Sequence, residues 1–369
     1  MKRFIGPGVL VLSALLLVAG YSPSLLAACE IKDAALHTAV LPLQSSALTI
    51  GPDASNGTVI YRQHFRPGNP VMIECSHGAE PDQPAIIGEF SGSGHLSDWS
   101  DSTFPAGTVY QTEVPGIGMA VYAWNSTQHT VPFNYPLTSL QKNKGSGWTP
   151  QQGIEFDIVF IKTGVIIPGS ISGERLPKVN YNFYSVGQPQ VNIGSLSFSG
   201  IINIVSRTCT TPDVFVPMGR YEISKTFKNN GSVSPWQDAS IKLTGCPRFY
   251  GMVDSGGGAD GQWIQGRKIS NSISVTLSPN TQILDNGLGI MGLISSKESA
   301  TGVGIQLAWG EKSDPSPQPV TFGASQLFTL PDDGAAQQSI PLLARYIQTA
   351  PQVTAGKAEA TATFTIYYY

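Results

Sequence analysis

Cysteine has the most definite chemistry to offer in this chain. Cys29, Cys75, Cys209 and Cys246 fall as two close pairs separated by a long gap. Three pairings are formally open. One bridge per cluster fits the spacing best, closing loops of 46 and 37 residues. Each bridge would then stabilise its own domain by roughly 4 kcal/mol on loop-entropy grounds. The N-terminus indicates the compartment. "MKRFIGPGVLVLSALLLVAG" is a basic tip followed by an apolar stretch of secretory length, and "YSPSLLAAC" adds small residues for cleavage. The stretch from Val9 to Val18 is too short to span a bilayer. We expect a signal peptide over residues 1–28 and oxidised cysteines after it. "LAAC" at 26–29 also fits a lipoprotein cleavage box, but a lipidated Cys29 would strand Cys75 as a free exported thiol. Parity favours the bridge.

Other reactive side chains are scattered. No GxSxG, HExxH or CxxC is present, and both cysteine pairs are accounted for by bridges. "GEF" at 88–90 and "FDI" at 156–158 supply Glu89 and Asp157, carboxylates that could flank a glycosidic bond, though chance supplies such pairs in any chain this long. The expectation is no enzyme and no cofactor. His37, His64, His77, His95 and His129 all lie in the first half without HxH or HxxxH spacing, so no metal site is expected. Sugar recognition has its own signature, an aromatic face beneath the ring with carboxylates or amides on the hydroxyls. Two loops carry such a set. "HLSDWSDS" holds Asp98, Trp99 and Asp101, and "YAWNSTQH" holds Trp124, Asn125 and Gln128. "GSGWTP" around Trp148 is a third candidate. The competing reading for each is a core tryptophan with acids that hold turns.

The elements that must position these residues are strands. Gly (40) and Pro (27) are plentiful, charged residues make up only 13%, and period-two runs outnumber helical ones, which points to an all-β chain. At 369 residues two domains are the prior. Losing Lys2 and Arg3 with the leader leaves 22 − 2 basic side chains against 25 acidic ones, or −5, a balance unsuited to nucleic acid. "VIYRQHF", "GMAVYAW" and "FDIVFIKTG" are strand candidates of the first half. "SVGQPQVN" reads as a linker. A second series runs from "SLSFSGIINIVSRTC" through "SIKLTGC", "SISVTLS" and "GVGIQLAW". We place a first domain over 29–186, a linker over 187–192 and a second domain over 193–369. The last strand is unusual, since from Ala358 to Tyr368 the residues alternate without a break and no turn follows.

Taken together, "IVSRTC", "LTGC", "PLLARY", Gly356 and the penultimate Tyr368 resemble the pilin domains of chaperone–usher fimbriae. Less sharply, "TEVPGIGMAVYAW" and "FDIVFIKTG" resemble the receptor-binding domains of type 1 and type 3 fimbrial adhesins. The resemblance implies two immunoglobulin-like β-sandwich domains. The first is a lectin-like adhesin domain and the second an incomplete pilin domain lacking its last strand. It also implies a groove beside Gly356, Phe364, Ile366 and Tyr368. A periplasmic chaperone fills the groove first, and the next fimbrial subunit then donates a strand to it after passage through an outer-membrane usher; strand addition of this kind is a known mode of peptide recognition. The first domain stands where an ordinary subunit carries its donor extension, which implies a tip position on the bacterial surface. Its receptor would be a host glycan. A matrix protein such as collagen, or a cap without any receptor, are the alternatives. The family's pocket residues cannot be carried over, because no pocket motif matches.

Overall fold

The computed structural model describes residues 29–32, 38–65, 72–75, 80–92, 94–124, 126–142, 147–150, 155–254 and 267–369. The expected leader, His37, His77 and Asn125 lie outside them. The regular elements of the described residues are nearly all strands, and two large hydrophobic clusters form separate cores. Both disulfides join as the spacing suggested, Cys29 to Cys75 and Cys209 to Cys246. A bridged Cys29 has no thiol left for a lipid.

In the first half a five-stranded sheet runs in the order Thr38–Pro42, Val191–Ser199, Lys178–Tyr184, Ala85–Ser91, Phe133–Pro136. Facing it are Val59–Phe65, Phe156–Lys162, Ile117–Ala123 and Tyr110–Gln111 of a second sheet, with Tyr61, Ile158, Phe160, Met119 and Val121 pointing into the core between them. Two of these strands, Ile117–Ala123 and Phe156–Lys162, are buried along their whole length. Apolar side chains on both faces require cover on both faces. The outer cover comes from Phe104, Val109 and the half-buried Trp99, which pack on Ala120, Tyr122, Val159 and Ile161.

The linker expected over 187–192 is a hairpin turn. Gly187 takes a left-handed φ of 73° and the Gln188 amide donates to Ser185 O, after which Val191–Ser199 folds back along Lys178–Tyr184. Ile193, Leu196, Phe198, Ile202 and Ile204 are all buried in the first core. The first sandwich therefore extends to Val205, and the stretch "SLSFSGIINIV" belongs to it. A Gly/Pro turn between two alternating runs signals a hairpin as readily as a linker. Only the burial of the second run separates the two.

The second half surrounds its own core with the central strands Leu342–Gln348 and Val303–Trp309, a short pair of Ile241–Thr244 with Gln337–Ile340, and a three-stranded sheet. That last sheet runs Ser325–Thr329, Ser272–Pro279, Ala362–Tyr368. The halves also share a sheet. Met252–Asp254 of the second half pairs in parallel with Val59–Phe65, placing Val253 opposite Tyr61, and Arg267–Ile269 follows outside it.

Candidate functional site

The alternation noted at the end of the sequence is realised as the strand Ala362–Tyr368. It ladders with Ser272–Pro279, Tyr368 opposite Ile273 and Phe364 opposite Leu277. Phe364 and Ile366 are half-buried against the core and Tyr368 is buried, while Thr363, Thr365 and Tyr367 face outward. On its other side, among the described residues, the strand has no ladder partner.

That open side borders a groove of about 710 Å³. One wall is residues 358–364, where Ala358, Ala360 and Ala362 present only methyl groups. A further part of the lining is the segment 213–219. The floor is core, including Ile241, Leu277, Leu307, Leu342 and Tyr346. Tyr346 also ties down the first wall, its hydroxyl donating to Ala358 O at 2.8 Å. In that segment Val214, Val216 and Met218 turn inward and are half-buried, whereas Phe215 is 91% exposed. "DVFVPMG" carries the signal for this segment, an alternation that the sequence reading passed over. Pro217 lacks an N–H to give to a ladder, and among the described residues the segment pairs with no strand. A largely aliphatic groove here lies beside a strand edge that has no ladder partner among the described residues. Its long apolar floor has few of the convergent polar groups that orient a small ligand.

Of the residues assigned to the groove, Phe364 lines it directly. Ile366 and Tyr368 continue the same strand beyond it, packed into the core. Gly356 lies elsewhere. A Cβ there would collide with the backbone of Ser299 and Ala300, and Lys357 bonds to this backbone through Lys357 N to Glu298 O and Ala300 N to Lys357 O, both 2.8 Å. The glycine permits that close approach and does not line the groove.

The first half divides the receptor candidates among different surroundings. Asp98 is exposed. Asp101 holds a turn, its Oδ1 accepting from the amides of Thr103 (2.8 Å) and Phe104 (2.7 Å). Trp99 covers the outer apolar cluster. Trp148 is 4% exposed, in a strand between Ile73 and Lys142. Asp101, Trp99 and Trp148 thus hold a turn, cover an apolar cluster and lie in a buried strand, respectively. Trp124 differs. It holds a left-handed φ of 53°, a strained position for a bulky residue. Its ring meets Tyr135 at 4.5 Å and His129 at 5.2 Å, with Phe133 behind at 5.7 Å. The result is a half-exposed aromatic cluster at one end of the sandwich. Periodicity gave no hint of Tyr135 or Phe133, which lie on an edge strand of the opposite sheet and reach Trp124 only through the fold.

Close by, the Trp124 amide donates to Glu155 O, and Glu155 begins a polar row on the sheet's outer face. Asp157, fully buried, accepts from Arg62 Nε at 2.9 Å and lies 3.3 Å from His64 Nδ1, while Glu155 is 3.6 Å from His64 Nε2. Glu89 is on the other sheet beside Asn182, so Glu89 and Asp157 do not form a catalytic pair. The hydrogen bond to Asp157 raises the His64 pKa above its usual value, against the opposing effects of burial and Arg62. A raised imidazole pKa stabilises the fold fully below about pH 6.5, and that contribution is lost as pH rises through the folded value. Wild type should therefore lose stability between pH 6 and 8 relative to His64→Gln, as urea melts at the two pH values will show. Parallel pH dependence in both proteins would refute the pairing.

Residues 196–369 match the model of a family described as fimbrial protein. The match covers the C-terminal 174 of the 369 residues. The match begins inside the first sandwich, at Leu196, so the family boundary and the core boundary differ. No curated protein matches. The structure is similar to the CupB6 tip adhesin of Pseudomonas aeruginosa, at 14% identity over 92% of this chain and 94% of that one, TM-score 0.35. It is also similar to the receptor-binding domain of the adhesin MrkD1P of Klebsiella pneumoniae, at 19% identity over 50% and 98%, TM-score 0.34. A third similarity is to the CFA/I adhesin CfaE of enterotoxigenic E. coli, at 8% identity over 90% and 93%, TM-score 0.22.

Proposed function

We propose that this protein is a fimbrial tip adhesin. Its second half accepts a strand from a periplasmic chaperone and then from the next subunit, and its first half binds a host glycan. The observation that carries the reading is the apolar groove beside the unpartnered edge of Ala362–Tyr368. An inserted strand would pair with that edge and bury its alternate side chains on the exposed floor. A synthetic donor peptide with alternating apolar residues, copying the N-terminal extension of a fimbrial subunit, should raise its melting temperature. Ala360→Trp, which fills the groove, should abolish the rise. No rise with any such peptide would sink the proposal.

The receptor surface we favour is Trp124 with Tyr135 and His129. A half-exposed ring cluster beside Glu155 combines a face for sugar C–H groups with acceptors for hydroxyls. Trp124→Ala should reduce glycan-array binding roughly fivefold to thirtyfold, matching the roughly 1–2 kcal/mol that one aromatic contact supplies, while Trp148→Phe leaves it unchanged. Equal binding by both variants would move the receptor elsewhere.

A further inference from the structure

The groove's edge strand continues past the groove, and its far end is held by the other half of the molecule. The Asp53 amide donates to Tyr368 O at 3.2 Å, and the Tyr368 amide donates back to Asp53 Oδ2 at 2.8 Å. Gly51 is buried against the same backbone, and a Cβ on it would land on the Tyr368 carbonyl. Asn271, 2% exposed, completes the joint. Its Nδ2 donates to Thr49 O (2.7 Å) and Tyr369 O (3.1 Å), and its Oδ1 accepts from the Gly251 amide (2.9 Å). Thr49 adds bonds to Arg248 O and from the Tyr250 amide. The loop making these contacts is itself anchored in the first core. The buried Lys162, at the end of a central strand, donates to Pro52 O (2.8 Å) and Ala54 O (2.5 Å).

We propose that residues 49–53 of the first half are a working part of the strand-acceptor site. By fixing Tyr368 and Tyr369 they position the edge against which an incoming strand pairs, so strand capture and docking of the two halves stabilise each other. The proposal rests on the strand-acceptor reading above. It follows from one strand serving two binding events: the groove uses its segment near Phe364, the joint uses Tyr368, and ordering either segment lowers the entropy cost of ordering the other. On this account the acceptor site spans both domains. Gly51, Asp53 and Asn271 are positioning residues, none of which lines the groove.

Amide hydrogen exchange on the full, oxidised chain without any donor tests it. Gly51→Ala should accelerate exchange at 364–369 by about tenfold or more, while Leu342–Gln348 and Val303–Trp309 stay as protected as in wild type. Asp53→Ala should act in the same direction more weakly, and Asp53→Asn, which keeps an acceptor, should lie near wild type. In reverse, Phe364→Ala should loosen the Thr49 and Asp53 amides in the other half. An unchanged strand end in Gly51→Ala, equal acceleration of every strand, or undisturbed 49–53 amides in Phe364→Ala would each overturn the proposal. Because no donor is present, failure of the groove to take peptides bears on the strand-acceptor reading alone.

Discussion

Removal of residues 364–369 should leave no folded second half. Three inward side chains, Phe364, Ile366 and Tyr368, would be lost from the core, along with most of the ladder to Ser272–Pro279 and the bonds from Asp53 and Asn271. At roughly 1.5–3 kcal/mol for each fully buried apolar side chain, the loss is on the order of 5 kcal/mol before any backbone term. Whole domains are stable by only about 5–15 kcal/mol. Ser272–Pro279 would become a second open edge on a core that already borders a groove, which favours aggregation. Expression in the periplasm should show the truncated chain degraded and absent from chaperone complexes. Normal yield with an ordinary cooperative melt would contradict the packing account. The opposite manipulation gives the matching gain. A strand that fills the groove with four or five apolar side chains adds on the order of 10 kcal/mol by the same scale, comparable with the stability of a domain.

The second large effect concerns where the first half can be cut. A fragment of residues 29–186 should fail to fold, whereas one of residues 29–206 should be a monomeric, oxidised domain with a single transition. The shorter piece lacks Val191–Ser199, an interior strand of the five-stranded sheet, and Ile201–Val205. It gives up Ile193, Leu196, Phe198, Ile202 and Ile204, five buried side chains worth on the order of 10 kcal/mol. Thr38–Pro42 would lose its only sheet partner among the described residues. Even the longer piece uncovers the edge of Val59–Phe65 that Met252–Asp254 pairs with in the intact chain, so it should melt below the full protein. Circular dichroism and thermal melts of the two fragments decide the matter. A folded 29–186 fragment would overturn the boundary drawn here.

Much of this could be read before any coordinates. Disulfide partners follow from the spacing of the four cysteines, and the packing of Phe364, Ile366 and Tyr368 follows from a period of two, because a strand's inward face is fixed by residue parity. The all-β class follows from turn residues and β-branched runs in the same way. These are local properties, carried by neighbours in the chain. The fold decided whatever depends on which element lies opposite which. Val191–Ser199 has the same alternation whether it opens a new domain or closes the old one, and only its burial against Leu41 and Phe183 assigns it. The "VFVPM" segment alternates too, but its meaning as a groove needs the floor beneath it. Trp99, Trp124 and Trp148 are equivalent as letters. The structure gives them a covering position, a half-exposed cluster with a strained backbone and a buried strand in turn, because solvent access is a property of the assembled surface. Gly51 and Tyr368, more than three hundred residues apart, meet only because two sandwiches dock, and no spacing rule could have paired them.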